Sequence, residues 1–482
     1  MRNWIAGVML SFSAAVGAQA LPIPDALEVQ ALVARQDVAA LQAYFSRYQH
    51  QYEADPATER PLIQLYWALM RETDSALAAI YDQWVSALPD SYEARMARAM
   101  YRWGQADLIA YPVAYEGVNA DRAWQDYRSL MQQAREDVEA SLQLTKRPLV
   151  SYRVLIALCD AMRDGPCVEQ AFREGVAQAP HSLALRRGYI AAIAGDDTLH
   201  ARVVADARAQ GMASEHVKVL EAEKHLTDNR KIMRADGGTE VAIYESIART
   251  VQDPWLDERI GHMFYRRSFY PRALEFYSRA LAGNPNLDVA LYWRARTYFA
   301  MGDMLAGRAD MMRAALMGNP QANRHLIDQH VQGSNGAVRD EVAMARWCGI
   351  AARRGQAYGA FCLGDVYANG YAGHARDMQK SLVWTRRAAE LGMPTAQHDL
   401  GVMLLNGLMG VPQDRAAGIG WLKLSAQGGF EYAERKLRLH LSAWEYFREM
   451  TWPAYREAFQ QGGLNVRLVV NLMIEMARAA FA

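Results

Sequence analysis

The sequence predicts an all-α protein, a superhelical solenoid of stacked antiparallel helix hairpins. Three observations point there. Near the C-terminus the chain is similar to itself under a shift of 37 residues. Further upstream a spacing of 34 residues takes over. Ala, Leu, Arg, Glu, Gln and Met are abundant while alternating runs of Val, Ile and Thr are rare, which favours helix over strand. A fixed period of this size marks a repeat architecture, in which one unit cannot bury its apolar face alone and must stack on its neighbours.

With 482 residues, 51% of them hydrophobic, the chain is too long for one compact core and reads as several domains or one long solenoid. Lys plus Arg equals Asp plus Glu at 53 each, so the basic footprint of a nucleic-acid binder is missing. Residues 1–20 read as a secretory signal peptide. Arg2 supplies the positive end, Trp4 to Ala15 the short apolar stretch, and Ala18-Gln19-Ala20 the small-residue cleavage site, with Leu21 as the mature start. A retained N-terminal anchor is the alternative, but the apolar run is short for a span. No Cys follows the cut to take a lipid, and no later segment reaches about 18 uninterrupted apolar residues. The mature chain is therefore expected in the periplasm or outside the cell, with no membrane span.

Residues 21–250 read as an N-terminal helical domain. Residues 26 to 105 carry four or five amphipathic helices, with Ala76 to Pro89 and Ser91 to Trp103 as halves of successive repeats. From Gly104 to Asn119 the helical period fades, and Tyr111-Pro112 and Gly117 are breakers, so a loop or hinge is expected. Helix resumes from about Arg122 to Leu144. A further hairpin starts at Arg147-Pro148-Leu149 and runs to Pro180. This stretch, with Tyr101-Arg102-Trp103-Gly104 before it, resembles a bacterial helical family called domain of unknown function 4034. The Trp-Gly-Gly segment typical of that family is absent after Tyr189, and the family has no activity to carry over.

Residues 251–335 bear the 34-residue spacing. Gly261, Phe264, Ala273, Tyr277, Ala280 and Pro285 resemble the tetratricopeptide pattern. A shift of 34 gives Ala295, Tyr298, Gly307, Met311 and Ala314, with Pro320 one place late. Small residues sit where the helices cross, and Pro ends the second helix.

Residues 336–440 bear the 37-residue period. It aligns Trp347 with Trp384 and Trp421, Gly355 with Gly392 and Gly429, Leu363-Gly364 with Leu400-Gly401, Asn369-Gly370 with Asn406-Gly407, and Asp340 with Asp377 and Asp414. Within one unit, residues 357 to 368 form a first helix with Leu363 and Tyr367 on one face, stopped by Asn369-Gly370. Asp377 then caps a second helix on which Trp384 and Ala388 face inward. Gly418 and Gly420 weaken the corresponding helix of the last unit. These residues resemble the Sel-one-like repeat family. Gly410-Val411-Pro412-Gln413-Asp414 fits its loop, and Gly373-His374-Ala375-Arg376-Asp377 departs by lacking the usual Val. The resemblance implies superhelical scaffolds that bind other proteins. Residues 441–482 leave the period. Trp444, Tyr446, Phe447 and Trp452 precede a break at Gln460 to Gly463 and an apolar helix from Val466 to Phe481, read as C-terminal capping helices, with a docking helix as the alternative.

Export permits disulfides. Cys159 and Cys167 flank the junction Asp164-Gly165-Pro166, and Cys348 and Cys362 lie seven residues either side of Gly355. Antiparallel helices then place the members of each pair side by side, so both pairs are predicted to bond.

Catalytic constellations are missing from the sequence: no Gly-x-Ser-x-Gly elbow, no Walker loop, no zinc helix and no dinucleotide fingerprint. His325, Asp328 and His330 form the densest candidate metal cluster, but residues five apart do not share a helix face. Glu221 and Glu223 read as a solvated face. Tyr101, Trp103, Tyr111, Tyr115, Trp124 and Tyr127 read as core beneath the loop after Gly104, with a peptide or glycan groove as the alternative. No catalytic residue, cofactor or metal is expected. The function expected is a non-enzymatic scaffold that binds a protein or peptide partner in the periplasm through a concave face. The alternatives are an immunity or inhibitor protein neutralising a delivered toxin, which rests on the family resemblance, and a cell-wall-active enzyme or its regulator.

Overall fold

The computed structural model describes residues 21–71, 73–116, 120–227 and 237–446. The signal peptide and the helix expected from Val466 to Phe481 lie outside them. Every regular element among the described residues is helical. The N-terminal part holds α1 (Ala26–Ala34), α2 (Val38–Ala54), α3 (Glu59–Met70), α4 (Ala78–Ala87), α5 (Tyr92–Glu116) and α6 (Ala120–Ser141). Then come α7 (Leu149–Ala161), α8 (Gly165–Gln178), α9 (Leu183–Ala192), α10 (Asp197–Ala209), α11 (Ser214–Thr227) and α12 (Gly237–Thr250). The regular hairpins are α13 (Pro254–Arg266) with α14 (Tyr270–Gly283), α15 (Asp288–Met301) with α16 (Met304–Leu316), and α17 (Pro320–Gln332) with α18 (Glu341–Arg353). They continue as α19 (Ala357–Asn369) with α20 (Met378–Glu390) and α21 (Pro394–Asn406) with α22 (Arg415–Gln427), closed by α23 (Glu431–His440).

The periodic residues set the turns. Asp340, Asp377 and Asp414 each cap the second helix that follows. Asp377 Oδ1, for example, accepts the Lys380 backbone N–H at 2.9 Å. A cap of this kind is worth about 1 kcal/mol. Gly370 closes α19 in the left-handed region at φ +72°, where residues with a Cβ are strained. The hairpins pack through small residues: α13 and α14 meet where Gly261 faces the Tyr277 ring, and Phe264 stacks on Phe276 at 5.4 Å.

One sequence expectation fails here. The stretch expected to be a loop from Gly104 is helix α5, which runs unbroken to Glu116 and packs along α6. Gly104 is a contact glycine: it lets α5 pass directly against the Met70 carbonyl at the end of α3. Residues 117–119 lie outside the described part. Gly418 and Gly420 lie within α22, which is continuous from Arg415 to Gln427.

The first helices fold back onto the repeat stack. Asn286 accepts the Ala26 N–H at 3.0 Å and donates to the Pro24 carbonyl at 2.6 Å. Gln30 donates to the Met317 carbonyl at 3.4 Å and accepts from Arg354 at 3.1 Å. Thr73 donates to the Arg354 carbonyl at 2.8 Å, Arg60 donates to the Gly283 carbonyl, and Asp25 pairs with Arg313 at 2.8 Å. These partners fall at or beside three successive turns, each joining one hairpin to the next. At the start of α3, beside Arg60, Glu59 accepts the Leu183 and Ala184 N–H groups at 3.1 and 3.2 Å and so caps α9. One continuous hydrophobic core extends from Ala26 to Val366, and two smaller cores serve the last hairpins.

Candidate functional site

The fifth residue of successive first helices marks one register position along the repeats. The series runs Arg153 (α7), Arg187 (α9), Glu258 (α13), Tyr292 (α15), Arg324 (α17), Phe361 (α19) and His398 (α21). Around it the first helices interlock through half-exposed rings and charges. His262 packs on Trp293 at 4.5 Å and Tyr265 on Trp293 at 5.0 Å. The exposed Arg296 lies over the Trp293 ring at 5.4 Å. Phe299 stacks on His325 at 5.4 Å, and Arg324 lies over Tyr358 at 4.8 Å while the Tyr358 hydroxyl donates to Asp328. Burial, aided by Arg266, pushes the His262 imidazolium pKa down, and burial with Arg296 does the same to His325. Both rings therefore favour the neutral form and act as flat aromatic surface. Burial also pushes the Asp365 carboxyl up, with Asp399 adding to it. The wall thus offers aromatic faces and exposed guanidinium groups side by side, the residue types enriched where one protein holds another.

The residues singled out from sequence hold the fold around this wall. Trp347 is buried on α18, while Trp384 and Trp421 are half-buried against the core of the later hairpins, with Leu400 fully buried among them. Leu363 packs at the boundary of two cores. Gly364 and Gly401 lie at helix crossings, and Gly355 and Gly392 take left-handed backbone at the turns. Cys159 and Cys167 stand at disulfide distance with Cα atoms 5.8 Å apart, and Cys348 and Cys362 likewise with 5.7 Å. Asp164 joins the first pair within reach of a shared ligand, yet it already caps α8 through the Cys167 N–H at 3.2 Å and pairs with Arg135 at 3.1 Å.

His325, Asp328 and His330 do not converge. His325 bonds Asn335 at 3.0 Å and Asp328 bonds Tyr358. The reading of Glu221 and Glu223 as a solvated face is corrected. Glu221 is exposed and pairs with Arg208, whereas Glu223 is buried and joins Arg187 and Arg259. Two residues apart on a helix, they point to different sides, and the second side is core. Of the aromatic cluster, Tyr101 is buried and stacks on Tyr81 at 4.5 Å, Trp103 meets Trp67 at 6.0 Å, and Trp124 meets Tyr127 at 5.3 Å. The side chains of Tyr111 and Tyr115 are outside the described part. Sequence reasoning missed the wall itself, although its signal was there: the 34-residue step from Arg153 to Arg187 repeats from Glu258 to Tyr292.

Residues 357–393 and 394–430 each match the Sel1 repeat. No curated protein matches the sequence. Among solved structures, a Sel1 repeat protein from Oxalobacter formigenes aligns at 23% identity with a TM-score of 0.34, over 39% of this chain and 78% of that one. A protective antigen of uropathogenic Escherichia coli strains, displaying an SLR fold, aligns at 15% identity with a TM-score of 0.40, over 91% and 97%. Yeast Tom70 aligns at 12% identity with a TM-score of 0.33, over 94% and 95%.

Proposed function

We propose that this chain, a helical-repeat protein carrying two Sel1 repeats, is an exported, non-enzymatic scaffold that holds a protein or peptide partner along the wall of its first helices. One observation carries the reading: the aromatic and guanidinium groups of α13, α15, α17 and α19 interlock from helix to helix, His262 on Trp293, Phe299 on His325 and Arg324 over Tyr358. Two cysteine pairs at disulfide distance suit an oxidising compartment. Among the described residues no helix is long and apolar enough to cross a membrane.

The test is affinity capture from periplasmic extract with the mature chain as bait, beside an Arg296→Glu, Arg324→Glu variant. Both arginines are exposed, so the variant keeps its fold. A stoichiometric partner held by the wild type and lost by the variant is the expected result. A partner held equally by both, or turnover of cell-wall fragments by the mature chain, overturns the proposal.

A further inference from the structure

From α13 onward the ninth residue of each first helix lies one turn beyond the fifth, on the same face. It is His262 on α13, Arg296 on α15, Asp328 on α17, Asp365 on α19 and Val402 on α21. Charge changes sign along this register. Arg296 is exposed and lies over the Trp293 and Tyr292 rings at 5.4 and 5.9 Å. It donates to the Tyr292 hydroxyl at 3.3 Å, and among the described residues no carboxylate pairs with it. Asp328 is answered where it stands, by Arg324 at 3.7 Å and by the Tyr358 hydroxyl. Asp365 is exposed, and among the described residues no cation pairs with it. Asp399 on α21 adds a second negative charge that acts on Asp365.

Aromatic surface fills the interval between the two charges. Tyr292, Trp293, Phe299, His325 and Tyr358 are each half-buried. Phe299 stacks on His325 from α15 to α17, and Tyr358 on α19 reaches Asp328 on α17. The three helices are therefore successive neighbours. Neighbouring helices pack about 8–10 Å apart, so α15 and α19 are separated by about 16–20 Å. An extended peptide covers that distance in about five or six residues. A helix would need about a dozen, a length that is marginal by itself in water. Opposite charges at the two ends of an aromatic track favour a partner of complementary pattern and repel one of a single sign.

We propose that this wall holds an extended peptide segment charged oppositely at its two ends, an acidic side chain over Arg296 and a basic one over Asp365, about five or six residues apart. This selectivity rests on the scaffold reading and adds to it the charge pattern of the partner.

A phage-displayed library of random dodecapeptides is selected on the immobilised mature chain. Enriched peptides are expected to carry an acidic and a basic residue about five or six positions apart, with apolar or aromatic residues between them. The affinity of one such peptide, read by fluorescence anisotropy at low salt, falls about tenfold or more in R296E and in D365R, because each variant sets a like charge opposite one end. Both residues are exposed, so the variants keep their fold. The double variant R296E/D365R recovers most of the loss, since a peptide lying in the reverse direction meets the same two charges. A merely structural role for either residue gives no such rescue. Enriched peptides without separated charges, affinities that the single variants leave unchanged, or losses that the double variant does not recover overturn the inference and leave the scaffold reading standing. No enrichment at all overturns it too, and the capture experiment then judges that reading by itself.

Discussion

Gly261 on α13 faces the ring of Tyr277 on α14 so closely that a β-carbon would stand 2.9 Å from its Cδ1 and Cε1. Tyr277 is fully buried and has nowhere to retreat. Overpacking of a filled core costs about 1–3 kcal/mol. Gly261→Ala is therefore expected to lower the unfolding free energy by that amount, read in urea as a lower midpoint with the slope of the transition unchanged.

Asp137 is the buried counter-charge of α5. It takes Arg98 at both oxygens, 2.8 Å from Nε and 2.6 Å from Nη2, and Arg102 Nη1 at 2.6 Å. Asp137→Ala leaves both guanidinium groups only the exposed Asp82 as a carboxylate partner, 3.1 Å from Arg98 and 3.5 Å from Arg102, and is expected to cost about 3 kcal/mol, the low end for breaking a buried pair. Chemical denaturation of the variant measures it.

Burial pushes the Glu258 carboxyl up to about 7 from an ordinary 4.5, with Arg259 opposing and Asp288 assisting. A carboxyl raised in the folded chain binds its proton more tightly there than in the unfolded chain. Its contribution to stability is full below the ordinary value and is lost as pH rises through about 7. The melting temperature of the wild type is expected to fall more steeply than that of Glu258→Gln between about pH 5 and about pH 8. Asp257, also raised to about 7 by burial, leaves a residual slope in the variant.

If both cysteine pairs bond as their spacing allows, non-reducing peptide mapping recovers Cys159 joined to Cys167 and Cys348 joined to Cys362. With separations of 8 and 14 residues, the loops are short. Loop-closure entropy then assigns about 2–3 kcal/mol to each bond. Cys167→Ser is expected to lower stability by that amount in oxidising buffer and to change little in reducing buffer.

The hairpins were legible because a turn demands the same chemistry each time it recurs. Asp340, Asp377 and Asp414 all cap second helices, and Gly355 and Gly370 both take left-handed backbone. Helix α5 was misread because Gly104 and Pro112 look like breakers in a local window, while the contact that needs Gly104 is with Met70 on another helix. Glu223 was misread because an acid two residues from another acid looks solvated until Arg187 and Arg259 arrive from elsewhere in the chain. The return of α1 and α3 onto the repeats left no trace at all. Its bonds join residues 260, 287 and 324 positions apart. Several end on backbone carbonyls, which every residue supplies alike.

That return has a mechanical consequence. A stack of hairpins is a spring whose pitch changes by small slips at each interface. The ties from Ala26 to Asn286, from Gln30 to Met317 and from Thr73 to Arg354 fix the pitch across three consecutive coils. The coils beyond Val366 pack in separate small cores, and among the described residues they bear no such ties. Elastic strain imposed on the molecule therefore gathers in its C-terminal coils, from the second helix of the first Sel1 repeat onward, while the part before them behaves as a rigid mount.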